Sequence, residues 1–179
     1  MRDLIVPLDL VDQYDSNALM VYTSFQTRYC AGEGYQFVYP EPVGKMFDYE
    51  IPLTKNKREY IRNIFGHLYE LGYLKMCGKL YMVDTDMFYN YERFIKCSRF
   101  AFDELNAAPK LFHHYLILKD CEGKAFSLEY YANREGVSTQ TIINRNKDLA
   151  VLHLIEINTS TYNPASGKRV GNNIYTVLN

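Results

Sequence analysis

Apolar residues recur along this chain with two periods, and the changes from one to the other mark its elements. In "SNALMVYTSFQTRY" (16–29), Leu19, Tyr22, Phe25 and Gln26 return at helical spacing. Asp15 or Ser16 can cap that helix, because a short side-chain oxygen accepts from the free amides of the first turn. "YQFVYP" is aromatic and β-branched and predicts a short strand ended by Pro40. Between Pro40 and Pro52, two close prolines and Gly44 disfavour a long helix. From Thr54 a helix is predicted with Ile61, Ile64, Phe65 and Leu68 inward and Gly72 at its end. A hairpin turning near Gly78 follows. The stretch 85–106 predicts a connecting helix with Met87, Tyr91, Phe94, Ile95 and Leu105 on one broad stripe.

After Pro109 the pattern starts again. "KLFHHYLILKD" predicts a helix, "AFSL" a short strand or turn, and "LEYYANREG" a helix ended by Gly136. A further helix covers about Ser138 to Leu152, and two strands then enclose a long polar loop. Sliding the chain on itself by 81 residues places Ile61 on Ile142, Leu68 on Leu149 and Gly72 on His153. In both copies a helix runs straight into an apolar strand and a hairpin. The expectation is therefore a mainly α fold with small β-hairpins, of the α+β class. It consists of two tandem winged-helix units, 1–84 and 107–179, joined by the 85–106 helix.

The second copy carries the spacing of a helix-turn-helix. Ala132 falls where two helices would cross, Gly136 at the turn, Val137 beneath it, and Ser138 at the N-cap of the following helix. At about 100° per residue, setting Ile142 inward carries Leu149 inward and turns Gln140, Asn144 and Lys147 outward. Gln and Asn can bond bidentately to adenine edges, and Lys can reach guanine or phosphate. Gln140, Asn144 and Lys147, with Thr139 and Thr141 beside them, are thus the candidate base-reading residues. One pair fits poorly: Asn146 stands where such helices bury an aliphatic side chain, and Arg145 lies on the flank of the inward face. Either Arg145 reaches sideways to a phosphate or the helix meets another surface there. A solvated polar face would look similar.

Phosphate contacts would come from Ser138, Arg145 and the loop "NPASGKRVGNN", whose Lys168 and Arg169 stand at a Gly-bounded tip. In the first copy Lys55, Lys57 and Arg58 cluster at a helix start, where backbone amides also favour an anion. Arg62 lies on that helix's outward face with Glu59, Asn63 and Gly66. This copy is expected to hold backbone or to dimerise rather than to read many bases.

Composition changes this picture in three places. With 20 basic and 21 acidic residues the net charge is −1, so a uniform basic coat is excluded and only local patches can meet a polyanion. Seventeen Tyr and ten Phe with no Trp suit small cores and interfaces, since Tyr buries its ring and keeps its hydroxyl wet. Cys30, Cys77, Cys97 and Cys121 are widely spaced without a C-x-x-C pair, which predicts neither a zinc site nor a disulfide framework and fits a reduced, cytoplasmic protein. No run reaches the roughly 18 apolar residues of a membrane span, and the N-terminus does not read as a signal peptide.

No catalytic constellation emerges either. His113 and His114 are adjacent and would face about 100° apart on a helix, a poor metal pair. "AGEGYQF" follows a helix and leads to a strand, the reverse of a phosphate-cradling loop. Neither an enzymatic activity nor a metal or cofactor is expected.

Three stretches look like a known group. "DLIVPLDLVDQYDSNALMVYTSF" resembles the opening of helix-turn-helix domains in plasmid replication initiators and phage replisome organisers of Gram-positive hosts. "ANREGVSTQTIINRNKDLAVLHLIEI" is similar to the helix-turn-helix and wing of that group and of GntR-like regulators, and "GNNIYTVLN" looks like their last wing strand. The tandem arrangement is similar to small winged-helix accessory proteins of conjugative plasmids. The resemblance covers about 100 residues; His153, at the usual glycine, and Asn146 depart from it. It implies sequence-specific binding of double-stranded DNA in replication, transfer or transcription control on a mobile element. Proteins of the replication or transfer machinery would be further partners, and the chain would act as a monomer or homodimer. The rival is a winged-helix module that binds proteins and does not read DNA.

Overall fold

The computed structural model describes residues 3–13, 15–29, 31–39, 55–158, 162–163, 168–169 and 172–178, with backbone alone at 55–58, 162–163 and 168–169. Among the described residues the chain is α+β, with seven α-helices and small antiparallel sheets. It divides into two compact units, residues 1–112 and 113–179. The Pro40–Pro52 stretch and the loop tip at 164–167 lie outside the described residues.

The first unit begins with β1 (Leu4–Pro7) and α1 (Leu8–Asp12), a short helix that periodicity did not predict. α2 (Ser16–Arg28) is capped by Asp15, whose Oδ1 accepts from the amides of Asn17 at 3.1 Å and Ala18 at 3.0 Å. That cap satisfies two donors that the first turn of any helix leaves open. Gln26 near the end of α2 clamps β1 in place. Its Oε1 accepts from the Ile5 amide at 2.8 Å and its Nε2 donates to the Ile5 carbonyl at 2.5 Å. β2 (Tyr35–Val38), β3 (Leu74–Cys77) and β4 (Leu80–Asp84) form a sheet in the order β2-β4-β3. Leu19, Tyr22 and Phe25 of α2 and Ile61, Ile64, Phe65 and Leu68 of α3 (Lys55–Glu70) are buried, as are Leu74 and Val83 of the sheet. Phe25 meets Phe65 edge to face at 5.9 Å.

The connecting helix expected over 85–106 does not form. The segment is a 3-10 turn (Thr85–Tyr89), then β5 (Phe94–Cys97), then α4 (Arg99–Leu105), all within the first unit. Ile95 and Cys97 are buried while Phe94 and Lys96 are exposed, the two-residue period of a strand. β5 pairs antiparallel with β1, Leu4 opposite Cys97 and Pro7 opposite Phe94. A partner some ninety positions away leaves no trace in a local window, so the helical spacing of Met87, Tyr91, Phe94 and Ile95 was coincidental. Ser98 starts α4 by accepting from the Ala101 amide at 3.2 Å.

The division between the units falls inside α5 (Pro109–Asp120), buried on every side from Phe112 to Leu118. α6 (Leu128–Glu135) follows, capped by Ser127 and ended by Gly136 at φ 63°. α7 (Thr139–Val151) runs into β6 (Ile155–Asn158), which pairs antiparallel with β9 (Ile174–Val177). The short strands β7 (Tyr162–Asn163) and β8 (Lys168–Arg169) pair with each other between them. At "AFSL", where a short strand or turn was expected, the structure has a single antiparallel bridge from Ala125 to Ile174.

The 81-residue offset reappears in the backbone. At the end of α3, Leu71 donates to His67, Gly72 to Tyr69 and Tyr73 to Leu68. At the end of α7, Leu152 donates to Asp148, His153 to Ala150 and Leu154 to Leu149. Each pair is shifted by 81, and the bond from Tyr73 to Leu68, like its counterpart, closes the helix in a Schellman manner. Such a closure needs a left-handed residue: Gly72 has φ 81° and His153 has φ 55°, the one non-glycine with positive φ among the described residues.

A side chain in that conformation costs about 1–2 kcal/mol. His153→Gly should therefore raise stability to urea by about 0.5–1 kcal/mol once the added freedom of the unfolded chain is counted. Gly72→Ala should lower stability by about 1 kcal/mol. A destabilised His153→Gly variant would contradict this account of the helix end.

Candidate nucleic-acid interface

The orientation of α7 is set by a chain of buried polar side chains. Asn146, at the inward position, is only 4% exposed. Its Oδ1 faces Nε2 of His114 at 2.8 Å, and its Nδ2 donates to the Tyr175 hydroxyl at 3.0 Å. Nδ1 of His114 bonds to Oε1 of Glu135, so both ring nitrogens face oxygen. Glu135 uses its other oxygen to accept from Nη1 of Arg145. The five residues come from α5, α6, α7 and β9, so one network holds three helices and the last strand. A buried carboxylate is tolerable only with such partners, because desolvating an unpaired charge costs several kcal/mol. Burial pushes the Tyr175 phenol above its usual pKa, and hydrogen bonds from Asn173 and Asn146 partly offset this.

This resolves the two residues that fitted the pattern poorly. Asn146 replaces an aliphatic side chain because His114 and Tyr175 supply polar partners. Arg145 does not reach outward for a phosphate: its side chain is 14% exposed and its guanidinium is committed to Glu135. Glu135 and Tyr175 were not singled out from the sequence, and His114 was weighed only as a metal ligand. A signal was present, since His113 and His114 interrupt the apolar run of α5 and Asn146 stands on an apolar face, and buried polar groups are nearly always paired.

The turn before α7 is built as the spacing implied. Ala132 is buried, and the left-handed Gly136 lets the Val137 amide return to the Ala132 carbonyl at 3.0 Å. Ser138 caps α7, its Oγ accepting from the Thr141 amide at 3.1 Å and sharing a hydrogen bond with Thr141 Oγ1 at 2.9 Å. Both hydroxyls are thus already used in the cap, and Thr139 and Thr141 are half-buried.

On the opposite side Gln140, Asn144 and Lys147 are exposed, while Ile142, Asn146 and Leu149 are buried. Gln140 Nε2 donates to Asn144 Oδ1 at 3.1 Å, so these two amides form one exposed, pre-oriented donor and acceptor array. Asp148 and Val151 are also exposed towards the end of the helix.

The other candidates are placed less fully. Lys168 and Arg169 form β8, opposite Asn163 and Tyr162, rather than the free tip of the loop. Lys55, Lys57 and Arg58 occupy the first turn of α3. The side chains of these five lie outside the described residues. Arg62 is exposed beside Glu59 and Asn63, as the helical offset implied. Cys77, Cys97 and Cys121 are free thiols, and no helix among the described residues is long and apolar enough to cross a membrane. Among the described residues no cluster of His, Cys, Asp or Glu could hold a metal ion. Comparison with known protein families, curated proteins and solved structures finds no match to this chain.

Glu135→Ala strands Arg145 and His114 in the core and should lower stability by about 3–5 kcal/mol. Asn146→Ala leaves the His114 ring and the Tyr175 hydroxyl short of one partner each, for about 1–3 kcal/mol. Urea unfolding of the full chain measures both. A loss below about 1 kcal/mol for Glu135→Ala would show that the network does not hold the unit together.

Proposed function

We propose that the protein reads double-stranded DNA through its second unit, which we interpret as a winged helix-turn-helix with α7 as the recognition helix. The observation that carries this reading is the outward face of α7, where exposed Gln140, Asn144 and Lys147 lie opposite a fully anchored inner face. An α-helix fits the major groove, and amide side chains match adenine edges there. Support also comes from the order helix, bridge, helix, turn, helix, hairpin, and from the bridge that joins Ala125 to the second strand of that hairpin. The first unit shares the arrangement of strand, helix and hairpin, β2 pairing with β4, which supports a tandem of winged helices.

In this reading Gln140, Asn144 and Lys147 contact bases, with Thr139 and Thr141 lining the approach. Ser138, Lys168 and Arg169 face the backbone, while Lys55, Lys57, Arg58 and Arg62 give the first unit a backbone-holding role. Arg145 serves instead as a positioning residue. A setting in plasmid or phage replication, DNA transfer or transcription control follows from the sequence resemblance alone.

One observation favours the rival, a protein-binding module. The face of the first unit's sheet that carries Tyr35, Phe37 and Leu80 is exposed, and exposed apolar faces commonly mark partner surfaces.

Selection from a pool of random duplexes, followed by shift assays, tests the DNA reading. Gln140→Ala and Asn144→Ala should each cost about 1–3 kcal/mol on the selected duplex and relax preference at single positions. Affinity should fall at least about tenfold between roughly 50 and 200 mM salt, as phosphate contacts require. No enrichment of any duplex, or equal binding by both variants, would favour the protein-binding module.

A further inference from the structure

The buried network of the second unit can run its hydrogen bonds in either of two directions, and a single proton decides between them. His114 is fully buried, with Nδ1 on Oε1 of Glu135 and Nε2 at 2.8 Å from the Asn146 side chain. The other end of the Asn146 amide lies 3.0 Å from the Tyr175 hydroxyl on β9. A neutral imidazole has one donor nitrogen and one acceptor, whereas an imidazolium has two donors. Glu135 takes the Arg145 guanidinium on its second oxygen, so it faces His114 as an acceptor, and Nδ1 keeps its hydrogen in both forms. The choice falls on Nε2 alone.

With a second proton on the ring, Nε2 donates to Oδ1 of Asn146, and Nδ2 donates to the Tyr175 oxygen. Without that proton Nε2 is an acceptor, and Oδ1 facing it would set two lone pairs against each other at 2.8 Å. Turning the amide by about 180° about its last bond relieves this, because its oxygen and nitrogen ends occupy almost the same space. Nδ2 then donates to Nε2, and the Tyr175 hydroxyl changes from acceptor to donor towards Oδ1. Glu135 and the ring of Tyr131, edge on with centroids 6.5 Å apart, face His114 from α6. Arg145 faces it from α7 through Glu135, and Tyr175 from β9 through Asn146. Burial raises the phenols of Tyr131 and Tyr175 above their usual pKa, so both stay protonated where an imidazole titrates. His113, its neighbour on α5, lies about 100° round the helix.

We propose that His114, Asn146 and Tyr175 form a one-proton switch: when Nε2 takes a proton from solvent, the Asn146 amide turns over and the hydrogen bond to Tyr175 on the last strand reverses. The ring has no exposed surface, so the proton enters and leaves during local opening of the unit. The bond between Arg145 and Glu135 is the same in both states. The switch therefore leaves the outward face of α7 where it is and acts on β9, the strand that pairs with β6. The charge of a ring on α5 is in this way reported to the closing hairpin, whatever α7 binds.

NMR of the full chain, isotope-labelled in His, Asn and Tyr and titrated between roughly pH 5 and 8, tests the switch. The signals of His114 Nε2, the Asn146 side-chain amide and the Tyr175 hydroxyl-bearing carbon should move with one common midpoint, while Nδ1 stays protonated. A coupling between the Asn146 and His114 nitrogens across their hydrogen bond should be present at the high-pH end and lost at the low-pH end. The side-chain amides of Gln140 and Asn144 should keep their positions. Asn146→Ala should abolish the Tyr175 response while His114 still titrates; Asn146→Leu, closer in volume, serves the same purpose if the smaller side chain unfolds the unit. A constant proton count at His114 would overturn the proposal, as would Asn146 or Tyr175 signals that do not follow the ring. A Tyr175 response that survives in the Asn146 variant would also overturn it, reducing the effect to charge acting through space.

Discussion

The buried carboxylate of Glu135 is the constraint on which the second unit depends. It cannot lose its water without donors, and the donors come from Arg145 on α7 and His114 on α5. His114 then engages Asn146, and Asn146 engages Tyr175 on the last strand. Apolar packing alone tolerates small rotations of a helix about its axis, because it has no directional requirement. Hydrogen bonds from two successive residues of α7, Arg145 and Asn146, remove that freedom. The outward direction of Gln140, Asn144 and Lys147 is a consequence of what their neighbours do inside.

A second constraint acts at the end of the helix. The closure around His153 matches that around Gly72 bond for bond, and in each case the chain turns at once into a strand whose first residue, Leu74 or Ile155, is buried. The geometry at this turn fixes how a hairpin leaves its helix. The same closure is made with a glycine at one helix end and a histidine at the other, so the two ends have the backbone conformation in common and not the residue type. The helix interiors differ more: Phe65 is packed among aromatic rings, whereas Asn146, 81 positions on, sits in a polar network.

How far the sequence could be read follows from the range of the forces involved. Elements fixed by local chemistry were legible. Asp15, Ser138 and Gly136 mark helix ends through bonds within a few residues, and Ile61 to Leu68 repeat at the helical period. The outward face of α7 was legible because one inward residue sets the phase of the rest. Elements fixed by distant partners were not. β5 exists because β1 lies beside it, and Glu135 looks in sequence like an ordinary solvated residue at a helix end. Arg145 and Asn146 looked anomalous because their partners stand 10 and 32 positions away. The cluster of Tyr22, Tyr73 and Tyr91 was hidden for the same reason, its rings coming from three separate segments.

The central claim is that the α7 face, held outward from within, is the surface that meets DNA. The most direct test is NMR of the full chain with side-chain amide resonances assigned, titrated with the duplex recovered by selection. The account predicts that the amide signals of Gln140 and Asn144 and the backbone of residues 138–147 shift together, while the His114 and Asn146 side chains keep their resonances. Perturbations confined to the exposed sheet face around Tyr35 and Phe37, with α7 unmoved, would contradict it.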